Sequence, residues 1–252
     1  HIKVDTGLSR NGVTMHDLDG LIMELLRERQ YVDVVGVMSH FAYADEPTNP
    51  TIALQAEQFA LAVDKLTAAG FELEVKHLSN SAATLGLPDT YFNLVRPGVA
   101  MYGISPGEEV GTPESLDLRP VMTLKSTVAL VKHVPSGTGV SYAHKYHTTR
   151  DTHLALIPVG YSDGLPRAAS NKGQVLVRGE KLTVAGRICM DQFVLDVGDS
   201  SVRVGDEVVI FGDALRGEPT AEDWARAADT IGYEIITRIG PRVVRRHINA
   251  PE

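Results

Sequence analysis

Two short stretches near the middle of the sequence combine polar side chains with glycine in a way that suits phosphate binding. They read HLSNS over residues 77–81 and NLVRPGV over residues 93–99. Ser81 opens an apolar segment, where a hydroxyl and free backbone N–H groups suit an anion. Gly98 lets the backbone approach a ligand closely, and Arg96 is a fixed cation beside it. The stretch indicates a phosphate cradle with an arginine at hand; two barrel strands with ordinary polar ends are the alternative.

The elements that must position these residues alternate between strand and helix. Residues 1 to about 104 show strand signals at 1–5, 32–40, 73–78 and 92–95, with a helix starting near Thr14-x-x-Asp17, a second from about 51 to 69 and a short one after Ser81. Such alternation predicts parallel βα units, and the loops after the strands of a βα barrel form its active face. Five polar residues fall at those strand ends: Arg10, His40, Asn80, Ser81 and Arg96.

Four βα units are too few to close a barrel of eight strands. We therefore expect an α/β first domain, the second half of a (β/α)8 TIM-like barrel, whose other half lies upstream. The sequence opens with His1 inside a strand pattern and without an initiator methionine, which agrees with that expectation.

The second half of the sequence changes to short β-branched runs. Residues 106–113 are loop-forming, so we place the domains at 1–112 and 113–252. Strand signals lie at 121–134, 152–159, 174–178, 181–185, 193–197, 207–211, 232–237 and 242–248, with a hairpin tip at Arg178-Gly179-Glu180 and one helix from Thr220-x-x-Asp223 to about Asp229. The pattern predicts an all-β C-terminal domain, sandwich-like or barrel-like.

Composition narrows the class of protein. The 252 residues are 43% hydrophobic, and the net charge is 24 − 32 = −8 without a basic block, which argues against nucleic acid and anionic membrane partners. No apolar run approaches the length of a membrane span. The single cysteine, Cys189, cannot form an intrachain disulfide, so we expect a reducing, cytoplasmic compartment. The nine histidines lack metal-ligand spacing, so we expect no metal.

Three loops of the second domain combine small residues with groups that do chemistry: 139–142, 160–164 and 186–191. Tyr142 could act as a general acid or base if its pKa, ordinarily about 10, were lowered. The alternative is a surface tyrosine packed on a turn. Asp191 could equally sit in a turn with an ion pair to Arg187, and Cys189 suits a buried small residue better than a nucleophile. His77 could likewise be a satisfied buried histidine.

Eight motifs occur in one order along the chain. They are HIKVDTGLSRNG at 1–12, SHFAxADE at 39–46, HxxNSAA at 77–83, VRPG at 95–98, VSY at 140–142, GYSDG at 160–164, GRICMDQ at 186–192 and GYE at 232–234. Together they resemble the alanine racemase family. Any one motif is weak, whereas eight in register are specific.

The resemblance implies a pyridoxal 5'-phosphate enzyme. Its barrel would hold the cofactor, and its β-domain would contribute to the partner subunit's active site in a homodimer. The cofactor-binding positions would be Asn80, Ser81, Gly98 and Val99 at the phosphate, Tyr233 adding a hydroxyl to it, and Arg96 at the pyridine nitrogen. Because a guanidinium keeps its proton, Arg96 should leave the ring nitrogen unprotonated and the electron sink moderate.

The resemblance also implies the substrate-side roles. Arg10 would bind the carboxylate of alanine, a geometry that suits a guanidinium fork. Tyr142 would remove the α-proton of L-alanine, with His40 orienting it. Met190 would offer a backbone contact beside Asp191, Tyr161 would narrow the entrance, and Lys3 matches a lysine that is often carbamylated and would then fix Arg10.

The implied reaction is interconversion of L-alanine and D-alanine by two-base α-proton transfer on a pyridoxal-phosphate aldimine, which supplies D-alanine for peptidoglycan. The second base of the family is a Schiff-base lysine in a motif that no stretch of this sequence matches. We therefore expect a C-terminal portion that lacks this segment and that does not racemise alanine by itself. The alternatives are a broader-specificity racemase, a decarboxylase of the same architecture and a non-catalytic dimerisation module.

Overall fold

The computed structural model describes residues 1–248, which divide into two compact units. The first unit is His1–Leu118, and the second begins at Arg119. Within residues 1–248, no helix has both the length and the apolar character that crossing a membrane requires.

The first unit is built on a parallel four-stranded sheet. Its strands are β1 (Ile2–Asp5), β2 (Val13–Thr14), β3 (Gly36–Met38) and β4 (Val75–His77), in the order β2-β1-β3-β4. Its helices are α1 (Leu18–Arg27), α2 (Thr51–Ala68) and α3 (Ser81–Gly86). All three strand pairs are parallel, which confirms the βα pattern.

Helix α2 covers the sheet with one buried face. That face is apolar except at Gln55, and its members are Ile52, Gln55, Phe59, Ala62, Val63 and Leu66. Its apolar members pack in one cluster with Val4 and Val37 of the sheet and with Leu18 of α1. The core therefore holds the helices against the sheet and leaves the carboxyl ends of the strands free for the loops that carry the site.

The strand predicted at 92–95 is absent, because a side chain takes its place at the edge of β4. Asn93 accepts a hydrogen bond from the backbone N–H of Lys76 at 2.7 Å and donates from Nδ2 to the carbonyl of Glu74 at 2.6 Å. Phe92 has a left-handed φ of 53°, which interrupts an extended chain. The segment still runs beside β4, since the N–H of Arg96 donates to the carbonyl of Ser79 at 2.9 Å.

The second unit is rich in antiparallel strands. They are β5 (Leu124–Thr127), β6 (Leu130–Val134), β7 (Gly139–Val140), β8 (Tyr146–His147), β9 (Thr152–Ile157), β10 (Gln174–Val177), β11 (Glu180–Thr183), β12 (Phe193–Gly198) and β13 (Glu207–Phe211). They form sheets in the orders β11-β10-β13-β5, β12-β9-β6 and β7-β8. Two helices follow, α4 (Ala221–Ala228) and α5 (Gly232–Thr237).

Two local predictions in this unit are confirmed. Arg178 and Gly179 both have positive φ, 50° and 82°, and join β10 to β11 as the expected hairpin tip. Thr220 caps α4 by accepting from the N–H of Asp223 at 3.1 Å, while Asp223 accepts from the N–H of Thr220 at 2.8 Å.

Three strand predictions in this unit are wrong in part or in whole. Residues 121–134 form β5 and β6 with a break between them, and residues 242–248 form no strand. Residues 232–237 are the helix α5, whose apolar side chains Ile235 and Ile236 are buried on one side. The β-branched residues favour a strand, but burial on one side of a helix outweighs that preference.

Candidate active site

Arg96 lies where the loops after β3 and β4 meet. Its Nη1 is 2.8 Å from Nδ1 of His77. Its Nη2 donates to the carbonyl oxygens of Ser39 at 2.8 Å and Leu78 at 3.3 Å, and lies 3.3 Å from Nδ1 of His40. Burial lowers the pKa of Arg96, yet a guanidinium remains protonated at physiological pH. One fixed cation therefore joins the ends of two adjacent strands.

The contacts of Arg96 fix the tautomers of two histidines. A guanidinium can only donate, so Nδ1 of His77 and Nδ1 of His40 both accept. The Nε2–H of His77 then donates to Nδ1 of His1 at 2.9 Å. His77 is 6% exposed and both of its ring nitrogens have partners, as in the alternative of a satisfied buried histidine. His40 keeps its proton on Nε2, where it is available as a donor.

Both imidazoles are held neutral. Burial is the first cause that lowers the pKa of His77 and of His40, and the charge of Arg96 is the second. At His40 the charges of Arg10 and Lys3 act in the same direction. The positive charges of three candidate site residues thus all lower the pKa of His40.

The loop that carries Arg10 is fixed at its start by Asp5. One oxygen of Asp5 accepts from the backbone N–H groups of Gly7 and Ser9, each at 3.0 Å. These two bonds are the main causes that lower the pKa of Asp5. Lys3 lies on β1 opposite Met38 of β3. The sheet edge therefore brings Lys3, Arg10, His40 and Arg96 into one region of the first unit.

Ser81, Gly98 and Val99, three positions that the family resemblance implies at a phosphate, lie close together. Ser81 is 4% exposed, and its Oγ accepts from the backbone N–H of Gly98 at 2.7 Å and of Ala100 at 3.4 Å. Val99 follows as the first residue of a 3-10 turn, Val99–Tyr102. Asn80 precedes Ser81 and caps α3 by accepting from the N–H of Ala83 at 3.0 Å.

This cradle suits a phosphate group. Both N–H contacts use lone pairs of Ser81 Oγ, so its own proton can be donated to an anion. A Cβ built at Gly98 meets nothing within 4 Å, which leaves open space against the backbone there. The site therefore offers a hydroxyl donor and room beside it.

In the second unit, Tyr142 lies on a turn with unusual backbone. Its side chain is 68% exposed. Ser141 before it has φ 61° and ψ −171°, and Ala143 and His144 after it have φ of 58° and 43°. The hydroxyl of Ser141 donates to the carbonyl of Arg187 at 2.7 Å. A tether to the 186–191 loop thus holds the turn that presents Tyr142.

The 160–164 and 186–191 loops are bonded side by side. The N–H of Tyr161 donates to the carbonyl of Cys189 at 3.0 Å, and the N–H of Ser162 donates to the carbonyl of Met190 at 2.9 Å. The hydroxyl of Ser162 reaches the same Met190 carbonyl at 2.8 Å and Asp191 at 2.9 Å. Tyr161, Met190 and Asp191 are therefore neighbours.

Arg242 joins these loops, although no local sequence pattern indicates it. Its Nε is 3.1 Å from Asp163, and its Nη2 is 2.8 Å from Asp191. The ion-pair partner of Asp191 is thus Arg242 rather than the neighbouring Arg187 that the sequence suggested. The Arg242 bond is the first cause that lowers the pKa of Asp191.

The contacts of two further residues, Tyr233 and Cys189, say less about function. Tyr233 lies in the first turn of α5, and its carbonyl accepts from the hydroxyl of Thr237 at 2.7 Å. Cys189 is partly buried, with its Sγ 3.4 Å from the hydroxyl of Ser141. Within residues 1–248, no cluster of His, Cys, Asp and Glu side chains is arranged to hold a metal ion.

Two family models account for nearly the whole chain. The alanine racemase N-terminal domain matches residues 1–106, and the alanine racemase C-terminal domain matches residues 121–247. The chain belongs to the alanine racemase family.

Known members of this family agree with the match. The alanine racemases of Frankia casuarinae and Streptomyces coelicolor are each 54% identical to the chain over 98% of its length. The matched region covers 65% and 64% of those proteins, so the chain spans slightly less than two thirds of their length.

A solved relative tests the fold. The alanine racemase from D-cycloserine-producing Streptomyces lavendulae superimposes with a TM-score of 0.97 at 54% identity, covering 99% of this chain and 66% of that one. The predicted fold class, part of a TIM-like barrel followed by a β-rich domain, is confirmed.

The structure adds one residue beside the predicted site residues in each unit. Arg242 is 51 positions from Asp191, so no local pattern links them. Gln55 is different, since it occupies an apolar helical stripe at the spacing of Ile52 and Phe59. A polar residue inside such a stripe is a signal that sequence reasoning can use.

Proposed function

We propose that this chain forms the larger part of a pyridoxal 5'-phosphate-dependent alanine racemase, an isomerase that interconverts L-alanine and D-alanine. The observation that carries the proposal is Arg96 held between two neutral histidines, beside the cradle formed by Ser81 and Gly98. An anion cradle next to a permanently charged donor suits a cofactor with a phosphate at one side and a ring nitrogen at the other.

The phosphate would be held by Ser81 and by the backbone at Gly98 and Val99, with Asn80 and Tyr233 as further contacts. Arg96 would donate to the ring nitrogen and keep it unprotonated. When bound, the cofactor would supply the electron-withdrawing ring that makes the α-proton of alanine acidic enough to remove.

Tyr142 would be the base for L-alanine. Its exposed hydroxyl stands on a strained turn, a backbone state found at functional sites. His40 would orient it, because its Nε2–H is a donor toward a phenolic oxygen. A donor at the phenolic oxygen stabilises the phenolate and makes a tyrosine a more effective base.

Substrate contacts follow from the remaining candidates. Arg10 would bind the carboxylate, and a carbamylated Lys3 would give Arg10 an anionic partner. The carbonyl of Met190 is engaged by Ser162, so we propose its N–H as the group that meets substrate or cofactor. Asp191 would support that loop, and Tyr161 would narrow the entrance.

At the level of the whole protein, we propose a cytoplasmic homodimer in which Tyr142 serves the partner subunit's active site. Its product would supply D-alanine for peptidoglycan. The lysine that binds the cofactor aldehyde, the second base, would lie in the part of the relatives' length that this sequence does not span.

The test is racemisation by the holoenzyme at its full natural length, followed in both directions with added cofactor. We expect Tyr142→Phe to lower kcat by about 10²- to 10⁴-fold, since one proton-transfer group is lost. In D2O the variant should still exchange the α-proton of D-alanine, because the second base remains. Tyr31→Phe, the same change at a tyrosine 76% exposed, is the control. A wild-type enzyme that leaves L-alanine unchanged, or releases carbon dioxide from it, would overturn the proposal.

A further inference from the structure

Gln55 is a buried amide on the otherwise apolar face of α2. Its side chain is 1% exposed, and the neighbours on the same face are Ile52, Phe59 and Ala62. An amide buried among apolar groups costs free energy unless its donors and acceptor are all paired. The partners of Gln55 therefore indicate why a polar residue occupies this position.

Each polar atom of this amide has a partner at the candidate site. Its Oε1 accepts from the backbone N–H of Ala42 at 2.8 Å, and its Nε2 donates to the carbonyl of His40 at 3.1 Å. The two bonded backbone groups lie on either side of Phe41. The amide therefore pairs with this segment as the backbone of an adjacent β-strand would. Because an N–H must meet the oxygen and a carbonyl must meet the nitrogen, the orientation of the amide is fixed.

The second N–H of the amide begins a chain of hydroxyl groups. It lies 3.3 Å from Thr6 Oγ1, which is 2.8 Å from Ser39 Oγ. Ser39 Oγ donates to the carbonyl of Val4 at 2.7 Å. Because the hydroxyl proton of Ser39 is donated to the carbonyl of Val4, the hydroxyl of Thr6 must donate to Ser39 and accept from Gln55.

This network is buried and ends at the site. Thr6 is 8% exposed and Ser39 is 1% exposed. The carbonyl of Ser39 accepts from Arg96, and the loop that follows Thr6 carries Arg10. Helix α2, the end of β1 and the end of β3 are thus joined through one side chain.

We propose that Gln55 is a positioning residue that fixes the backbone at His40 and thereby the direction of its imidazole. The inference rests on the proposed function, because it acts through the orientation of the base Tyr142. A leucine would fill the same apolar space, but it would leave the carbonyl of His40 and the N–H of Ala42 unpaired. The loop would then hold His40 less firmly.

The experiment compares Gln55→Met and Gln55→Glu in the holoenzyme at its full natural length. Methionine keeps the length of the side chain and removes all three hydrogen bonds, whereas glutamate keeps the acceptor for Ala42 and loses the donors. Gln58→Met, on the same helix but off its buried face, is the control. Cofactor absorbance per chain reports whether each variant folds and binds its cofactor.

The decisive readout is the α-deuterium isotope effect with each enantiomer. By symmetry the two directions of racemisation have equal kcat/KM, so rates alone cannot tell which base is affected. We expect kcat per cofactor-bearing site to fall on the order of 10- to 100-fold in Gln55→Met. The isotope effect should rise for L-alanine, whose proton Tyr142 removes. It should fall for D-alanine, because proton removal by the other base then limits the rate less. Gln55→Glu should fall between this variant and the wild type.

A purely structural role would lower the amount of folded enzyme without changing kcat per site or the isotope effects, and that result would overturn the inference. If Gln55→Met does not fold, Gln55→Glu decides in the same way. A wild type without alanine racemisation would instead overturn the proposed function, and this inference with it. An active wild type with normal Gln55 variants would overturn the Gln55 inference alone.

Discussion

Ser141 has a backbone conformation that is essentially restricted to glycine, and it directly precedes the candidate base. With φ 61° and ψ −171°, a side chain there costs about 1–3 kcal/mol. The hydroxyl offsets part of this cost through its bond to the carbonyl of Arg187, worth about 1 kcal/mol. A strained backbone that is fixed by such a hydrogen bond can keep an exposed tyrosine such as Tyr142 in one orientation.

We expect Ser141→Gly to be more stable than Ser141→Ala by about 1 kcal/mol. Both variants lose the hydroxyl, but only glycine relieves the strain, and its greater chain entropy offsets part of the gain. Denaturant unfolding of both variants measures the difference. Ser126, on β5, is the control site, where alanine should be the more stable replacement. Equal stability of the two Ser141 variants would show that the turn stores no strain.

At the scale of elements, Asn80 has one observed role and one proposed role, which can be separated. It caps α3 through its Oδ1, and it is a candidate contact of the cofactor phosphate. A cap needs only an acceptor, whereas a phosphate contact needs a group without negative charge. The short helix and the cradle therefore depend on different properties of one side chain.

We expect Asn80→Ala to cost about 1 kcal/mol of stability through loss of the cap. Asn80→Asp should keep the stability of the apoenzyme but weaken cofactor binding by at least about tenfold, because like charges repel. Thermal unfolding of the apoenzyme and cofactor titration measure the two effects. Asn49→Asp is the matched control, since Asn49 also accepts from a helix-start N–H, that of Thr51 at 3.0 Å. Unchanged cofactor affinity in Asn80→Asp would remove Asn80 from the phosphate site.

Over the whole molecule, carboxyl groups with a lowered pKa occur in both units, as at Asp5 of the first, whereas the histidines with a lowered pKa belong to the first unit. In the first unit, the pKa values of His40 and His77 are lowered from 6.5, chiefly by burial. In the second unit, the pKa values of Asp191 and Asp196 are lowered from 3.8. Hydrogen bonds from Arg242 and Ser162 lower that of Asp191. At Asp196, burial acts in the opposite direction, and hydrogen bonds from Thr152 and Tyr146 outweigh it.

The directions of these pKa shifts determine how the stability of each unit changes as the pH falls. A histidine that must stay neutral in the folded state binds its proton more readily when unfolded, so the first unit should lose stability as the pH falls below 6.5. The carboxylates of the second unit contribute stability above 3.8 and lose it only as the pH falls through their lower folded pKa values.

Hydrogen-exchange mass spectrometry of the apoenzyme over this pH range can follow each unit separately. We expect peptides of α2 to lose protection before peptides of β12 and β13. His16→Asn is the control, because His16 is exposed and its pKa is raised by Asp17, so it contributes little and in the opposite direction. Simultaneous loss of protection in both units would contradict the expectation.

The parallel βα order, the β-rich second half and the capped start of α4 followed from the sequence alone. These features rest on hydrophobic spacing and turn chemistry that operate within about 20 residues. The same local reasoning put Arg10, His40, Asn80 and Ser81 after strands, because the end of each strand is visible in the sequence. The role of each residue came from the family resemblance and stays a proposal.

Only the tertiary structure decided which polar groups meet. Arg96 faces His77 and His40, Arg242 joins Asp163 to Asp191, and Asn93 replaces a strand at the edge of β4. The partner of a long side chain depends on distance in space rather than on separation along the sequence. A buried donor or acceptor bonds to a group that the packing of the core brings near. Apolar spacing fixes the elements that carry these groups, while packing of those elements selects the pairs.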